Sequence, residues 1–363
     1  MKKVKFAVLF MVLAALLLSA CGTAAEPAES TATTETTTSP VEPETPTTSD
    51  GPSITTNGGF MRPLASLEHY DENAESVVYY TSDISPEAMV AIYEKLEWNP
   101  EGKVAVKLST GEPPASNYLD PELIKDVVQL VNGTIVENNT AYGGQRSQTA
   151  MHYQVAEDHG FTKIADFVVL DENGSLSLPV NGGQVLTENL VGSHFDEYDS
   201  YLVLSHFKGH AMAGFGGAIK NISIGLGSVE GKCLIHTGGQ SHTSPWGGDQ
   251  MAFTESMADA GKAVRDALDG KIVYISVMNR LSIDCDCDGH PHEPDMHDIG
   301  ILASYDPVAL DQACVDLVYA SDDDKNQALV NRIEDRSGIH TLEAGEAIGL
   351  GNRSYQLIDI SNP

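Results

Sequence analysis

From Val77 to the C-terminus, short apolar runs alternate with stretches in which apolar residues recur at helical spacing. The runs KVAVKLST, GTIVENN, IADFVVLD, DSYLVLSHF, KIVYISVMN, HDIGILAS and SYQLIDI read as strands. Between them, SPEAMVAIYEKLEW, PELIKDVVQLV, SQTAMHYQVAEDHG, GDQMAFTESMADAGKAVRDAL and the stretches around Leu310 and Leu342 read as helices. Ser85 caps the first of these, and Pro86 opens it with a preset backbone angle and no wasted N–H. Unbroken β-α-β-α-β alternation predicts an α/β fold of mostly parallel sheet with crossover helices. It spans residues 75–363, as one large body or as two small subdomains, 75–190 and 191–363.

The first residues break this pattern. Lys2, Lys3 and Lys5 precede an apolar run from Phe6 to Leu18, and LLLSACG follows. Thirteen apolar residues are short for a bilayer span, and the small residues before Cys21 suit a signal peptidase. Residues 1–20 are therefore expected to be a lipoprotein signal peptide, with Cys21 lipidated. Residues 21–59 are Thr-, Ser-, Pro- and Glu-rich with almost no large apolar side chain, the composition of a disordered stalk. The expected location is the extracytoplasmic face of the cell envelope, with membrane contact through the lipid anchor only.

Charge narrows the partners. The formal net charge is −31, and the three leader lysines and six stalk acids move it to −28 for the rest of the chain. Such a surface repels nucleic acid and anionic headgroups, leaving a small molecule or a metal ion as the expected ligand. Besides Cys21 only Cys233, Cys285, Cys287 and Cys314 occur, without a CxxCxxC run, so an iron–sulfur cluster is not expected. Cys314, inside a helical pattern, reads as a buried thiol.

Candidate chemistry concentrates in HFKGHAMAGFGGAIKNISIG, His206 to Gly225, which follows the apolar run YLVLS. A strand emptying into a glycine-rich turn lets backbone N–H groups approach an anion or cofactor, here at Gly214, Gly216 and Gly217. His206, His210, Lys220 and the later His236 supply ligands or a proton shuttle. In NTAYGGQR, Arg146 precedes a helix and is a second candidate for holding an anion. Trp246, in TSPWGG, offers an aromatic wall. No G-x-S-x-G, HExxH, P-loop or kinase signature occurs.

GHAMAGFGGAIKNISIG with GKCLIH, DCDCD and DPVALDQACVDLV resembles the domain-of-unknown-function 362 family, over about Val104 to Ile348. Members of that family often carry a ferredoxin insert after this histidine, where SHTSPWGGDQ stands here. More distantly, the His–Gly-rich turn–Lys–His spacing is similar to that of the nickel-pincer lactate racemases. That resemblance implies Lys220 as cofactor anchor, His236 as metal ligand and His210 as acid/base. The racemases' early motif is matched by STGEPPAS, which has no arginine.

The second constellation is DCDCDGHPHEPDMHD, Asp284 to Asp298. Alternate residues of an extended chain share a face, so Cys285 and Cys287 are expected to share one metal, with Asp284 and Asp286 on the other side. The string also imitates a calcium loop ending at Asp295. The cofactor is thus open among nickel, zinc and calcium. Two functions are expected: metal- or cofactor-dependent chemistry on a small organic acid, racemase-like or redox, or noncatalytic capture of a metal or small solute.

Overall fold

The computed structural model describes residues 51–361. The leader, Cys21 and the stalk up to residue 50 lie outside the described residues. Eight strands build the central sheet: β1 Ser76–Thr81, β2 Val104–Lys107, β3 Thr134–Glu137, β4 Phe167–Val169, β5 Ser200–His206, β6 Ile272–Met278, β7 Gly300–Ser304 and β8 Tyr355–Asp359. Their order across the sheet is β8-β1-β7-β6-β5-β2-β3-β4. Strands from 75–190 and from 191–363 are hydrogen-bonded side by side in this one sheet.

Every pairing is parallel except the two made by β7, which runs antiparallel to both β6 and β1. A parallel neighbour needs a crossover, and residues 279–299 between β6 and β7 contain no helix, so the chain can only turn back.

The helices are α1 Pro86–Lys95, α2 Pro121–Leu130, α3 Thr149–Asp158, α4 Ala218–Ile222, α5 Val229–His236, α6 Gln250–Ala267, α7 Pro307–Tyr319, α8 Gln327–Asp335 and α9 Gly338–Ala347. Alternate residues of β6 show how the layers form. Val273, Ile275 and Val277 face Met89 of α1 and Ile124 of α2, whereas Ile272, Tyr274 and Met278 join Ile222 of α4, Val264 of α6 and Leu310 of α7. Both faces are covered, which is why β5 and β6 are buried throughout and read as continuous apolar runs. Each such Val or Ile contributes about 1.5–3 kcal/mol by leaving water. Cys314 sits in α7 as a buried free thiol.

From β2 the chain winds outward through β3 and β4, then returns to the other side of β2 as β5 and winds the opposite way through β6. The gap between the carboxyl ends of β2 and β5 is therefore a topological switch point, where the following loops diverge and leave a crevice.

Order begins earlier than the expected stalk boundary at residue 59. Ser53–Thr55 pairs antiparallel with Met61–Pro63, and Ile54 is buried with Leu64, Leu67 and Tyr80. The backbone of Asn57 donates to Ile299 O at 2.8 Å. A single isoleucine with a core to enter outweighs the polar composition around it.

Asp306 joins three elements. Its Oδ1 accepts from Val308 N and Ala309 N at 2.9 and 3.0 Å, capping α7, while Oδ2 accepts from Ser76 Oγ at 2.7 Å and Asn352 N at 2.8 Å. Asp306→Ala is expected to cost about 2 kcal/mol, from a lost cap and orphaned donors, read as a lower urea midpoint at unchanged slope.

Candidate functional site

The crevice at the switch point is a cavity of about 320 Å³. Its walls come from the loops after β2, β3, β5 and β6, together with α4 and α5. The two constellations separated in sequence meet here. Residues Lys208–His210 form a hairpin with Gly214–Gly216, and Gly209 N donates to Ser282 O at 2.8 Å. A side chain at Gly209 would strike the Ile283 backbone 2.4 Å away, so glycine is required for this approach.

Asp286 closes the junction. Its Oδ1 accepts from His206 Nδ1 at 2.9 Å and its Oδ2 from Lys208 Nζ at 2.6 Å, all three residues being buried. Burial would raise this carboxyl, but Lys208 and His206 outweigh it and hold the group well below the usual range. On the opposite wall, Glu137 lies 3.4 Å from Lys107 Nζ and 3.1 Å from Arg146. There too burial opposes ionisation, and Lys107 and Arg146 overcome it to bring Glu137 down to about 2.

The cavity's five cationic side chains, Lys107, Arg146, Lys208, Lys220 and Lys232, thus face two carboxylates. Lys107 also donates to Leu108 O and Asn221 Oδ1, and Lys232 donates to Gly227 O at 2.5 Å. The Lys220 carbonyl accepts from Gly225 N at 3.0 Å, but among the described residues its side-chain amine makes no hydrogen bond or ion pair. Burial, with Lys208 next, lowers its amine to about 7. An unpaired lysine titrating near neutrality inside a cleft is the kind of perturbed group that marks a functional site.

The three histidines have separate protonation patterns, set by their partners. His206 points Nδ1 at the Asp286 carboxylate and Nε2 at Asn279 O, 2.7 Å away, so both nitrogens donate and no lone pair remains. His210 Nδ1 accepts from Met212 N and Ala213 N at 3.2 and 2.9 Å, which places its proton on Nε2. His236 does the reverse: Nδ1 donates to Lys232 O at 2.7 Å, leaving a lone pair on Nε2, and the ring stacks on Phe253. Burial lowers His236 to about 4 and His210 well below its ordinary value, so both are neutral. One ring therefore offers N–H and the other a lone pair.

Several expected roles change. His206 has no free nitrogen for a metal. Asp286 spends both oxygens on His206 and Lys208. Asp284 turns away to His292, at 2.5 Å, and toward Arg332. Asp288 accepts from His290 N at 2.8 Å, so the acids of the calcium-like string do not converge. Cys285 and Cys287 are joined in a disulfide, so they offer no thiolates in this state, although both sulfurs and a His210 ring nitrogen lie within 4.8 Å of one another, a spacing at which the reduced pair could share one metal with His210.

The glycine loop is corrected as well. The first N–H groups of α4, at Ala218 and Ile219, are held by Asp311 at 2.7 and 2.9 Å, so this helix end is not open to a ligand. Gly217 is needed because a Cβ would lie 2.2 Å from the Asp311 carboxylate. Gly216 lines the cavity, whereas Gly214 packs against Gly338. Arg146 is buried and bonds Glu112, Glu137, Ser109 and Tyr142, bracing the walls rather than standing free for an anion. It reaches the STGEPPAS loop, which has no arginine of its own.

Lys107, Glu137, Lys208 and Lys232 were not singled out from sequence. Charged residues ending apolar strands, as in VAVK and TIVE, were the available signal, because such a residue is buried unless a strand-end site accepts it. Trp246 lines the mouth at 62% exposure, beside Met212, Leu204 and Ile224.

An open, mostly parallel α/β sheet with a basic crevice at its switch point defines the class. The family model described as domain of unknown function 362 matches residues 104–316, and the chain belongs to that family. No curated protein matches it. Among solved structures it is similar to the lactate racemase apoprotein from Thermoanaerobacterium thermosaccharolyticum, at 16% identity and TM-score 0.37, over 62% of this chain and 55% of that one. It is also similar to a protein from Thermotoga maritima, at 12% identity and TM-score 0.36, over 69% and 59%. The chain thus spans less than two thirds of either relative. Among the described residues no helix is long and apolar enough to cross a membrane.

Asp286→Ala strands the buried Lys208 ammonium and leaves His206 Nδ1 without its acceptor, and is expected to cost about 3–5 kcal/mol in chemical denaturation. Asp284→Ala, whose partner His292 is largely exposed, is expected to leave stability nearly unchanged.

Proposed function

We propose that this chain is a lipid-anchored envelope protein whose switch-point cavity binds a small organic anion at Lys220, with His210 and His236 beside it as proton donor and proton or metal acceptor. The reading rests on one observation: once Asp286 and Glu137 have paired with Lys208, Lys107 and Arg146, and Lys232 has settled on Gly227 O, Lys220 is the cavity cation whose amine has no partner among the described residues. Leu204, Met212, Ile224 and Trp246 give the cavity apolar walls, which favour an organic anion over an inorganic one. The leader and Cys21 supply the anchor.

The neutral rings set what chemistry follows. A base lowered to about 4 is too weak to take a proton from carbon unaided, and His236 is better suited to ligate a divalent metal through Nε2. Of the two histidines expected as ligands, His206 has both ring nitrogens engaged and only His236 keeps a free ring-nitrogen lone pair. The roles implied by the racemase resemblance therefore fit these side chains: an unpaired amine at Lys220, a ligating nitrogen at His236 and an N–H at His210. A nickel cofactor held there would supply the redox step at the substrate carbon, while His210 holds the proton.

Protonation of Lys220 gives the test its sign. Below about pH 7 the ammonium is charged and attracts the anion, and above that value it is neutral in the free cavity. A bound carboxylate raises the amine's pKa, so binding takes up a proton as the pH rises. Calorimetric titration with oxalate and L-malate is expected to show affinity falling by up to about tenfold per pH unit between about pH 7 and 9. Lys220→Met is expected to remove binding at every pH. Equal affinity across that range, or unchanged binding by Lys220→Met, would sink the proposal.

A further inference from the structure

The Cys285–Cys287 disulfide opens onto the same cavity as Lys220 and His210. We propose that it is a redox centre that exchanges with a small anionic thiol entering that cavity. This goes beyond anion binding and draws on it only for the choice of thiol.

A disulfide stabilises a fold chiefly by closing a long loop in the unfolded chain, and this one joins residues two apart in sequence. It has little to staple. The 279–299 segment is held instead by Asp286, by Gly209 N to Ser282 O, and by Arg332 Nη1 to Ile283 O at 2.7 Å. Its position at the cavity wall is the feature left to explain.

The surroundings favour opening it in one direction. Cys287 is half-buried and Cys285 is 5% exposed, so an incoming thiolate reaches Cys287 Sγ first. Cys285 is then the leaving sulfur, and Cys287 N already donates to Cys285 Sγ at 3.4 Å. Asp286, the residue between them, would oppose a new negative charge, but Lys208 and His206 compensate it. The unpaired Lys220 adds positive potential, and a His210 ring nitrogen and both sulfurs lie within 4.8 Å of one another. A thiolate leaves more readily where cations and N–H groups stabilise it.

The exchange balances in two steps. A thiolate RS⁻ bonds to Cys287 Sγ, the S–S bond breaks, and Cys285 departs with the electron pair as a thiolate. A second RS⁻ attacks the R-bearing sulfur of the mixed disulfide, releasing RSSR and the Cys287 thiolate. Each cysteine thiolate then takes one proton from solvent. In sum, two thiols are oxidised to RSSR and the protein disulfide is reduced to a dithiol. The basic cavity selects thiols that carry carboxylates.

The test uses the full-length protein in detergent, treated with mercaptosuccinate or with cysteamine at equal thiolate concentration. Alkylation and peptide mass read the fraction of Cys285 and Cys287 reduced. The buried Cys233 and Cys314 are resolved as separate peptides. Mercaptosuccinate is expected to reduce the pair about tenfold faster than cysteamine, as steering by local charge allows. Cys285→Ser is expected to accumulate a mercaptosuccinate adduct on Cys287 when given the oxidised thiol. Equal rates, no adduct, or alkylation of both cysteines in the untreated protein would overturn the proposal. Oxalate titration of the same preparation scores the cavity separately: binding without exchange sinks the redox centre alone, and absent oxalate binding sinks the anion reading.

Discussion

The Asp286 carboxylate, held between the His206 ring and the Lys208 ammonium, is the contact on which the site depends. It fastens the loop after β6 to the end of β5, and so turns two distant stretches of sequence into one wall. Removing two or more charges from water is costly, and the arrangement persists because every charge at this junction is both paired and hydrogen-bonded. Glu137 plays the same part across the cavity for Lys107 and Arg146. With those pairs complete, Lys232 rests on a backbone carbonyl and the Lys220 amine has no partner among the described residues, so these two lysines give the cavity its sign.

That sign is opposite to the chain's own. Beyond the leader and stalk the chain carries a net charge of −28, yet it builds a crevice whose cations outnumber its carboxylates. Salt screens exposed charges over about 10 Å, so in a saline medium the outer acids act weakly on a ligand already at the mouth. Buried charges are screened far less, and the local field prevails inside. The acidic exterior and the basic cavity are therefore compatible: one keeps the protein dispersed and the other selects an anion.

Much of the fold was legible because strands buried on both faces must be apolar throughout, and KIVYISVM and YLVLS are. Ser85 and Pro86 announced α1, and the Ser85 hydroxyl does accept from Ala88 N. The reversal of β7 was not legible, since strand direction depends on what the connection contains rather than on the strand. Nor was α5: VEGKCLIH is short, and tertiary contacts of Leu234 and Ile235 with Phe253 and Met257 hold it. Of the site, the His206–His236 segment stood out by composition. Its partners did not, because pairing between Lys208 and Asp286 is a fact of space. The metal reading of Cys285 and Cys287 followed from their spacing, which suits a shared ion and a disulfide equally.

The most direct measurement of the account is the titration of the Lys220 amine itself, by reductive ¹³C-methylation and NMR, with Lys220→Met assigning the resonance. The expected midpoint lies near 7 in the free protein and moves upward when oxalate is added. A midpoint at the ordinary lysine value, indifferent to oxalate, would mean that Lys220 is solvated or paired and that the cavity is not built around it.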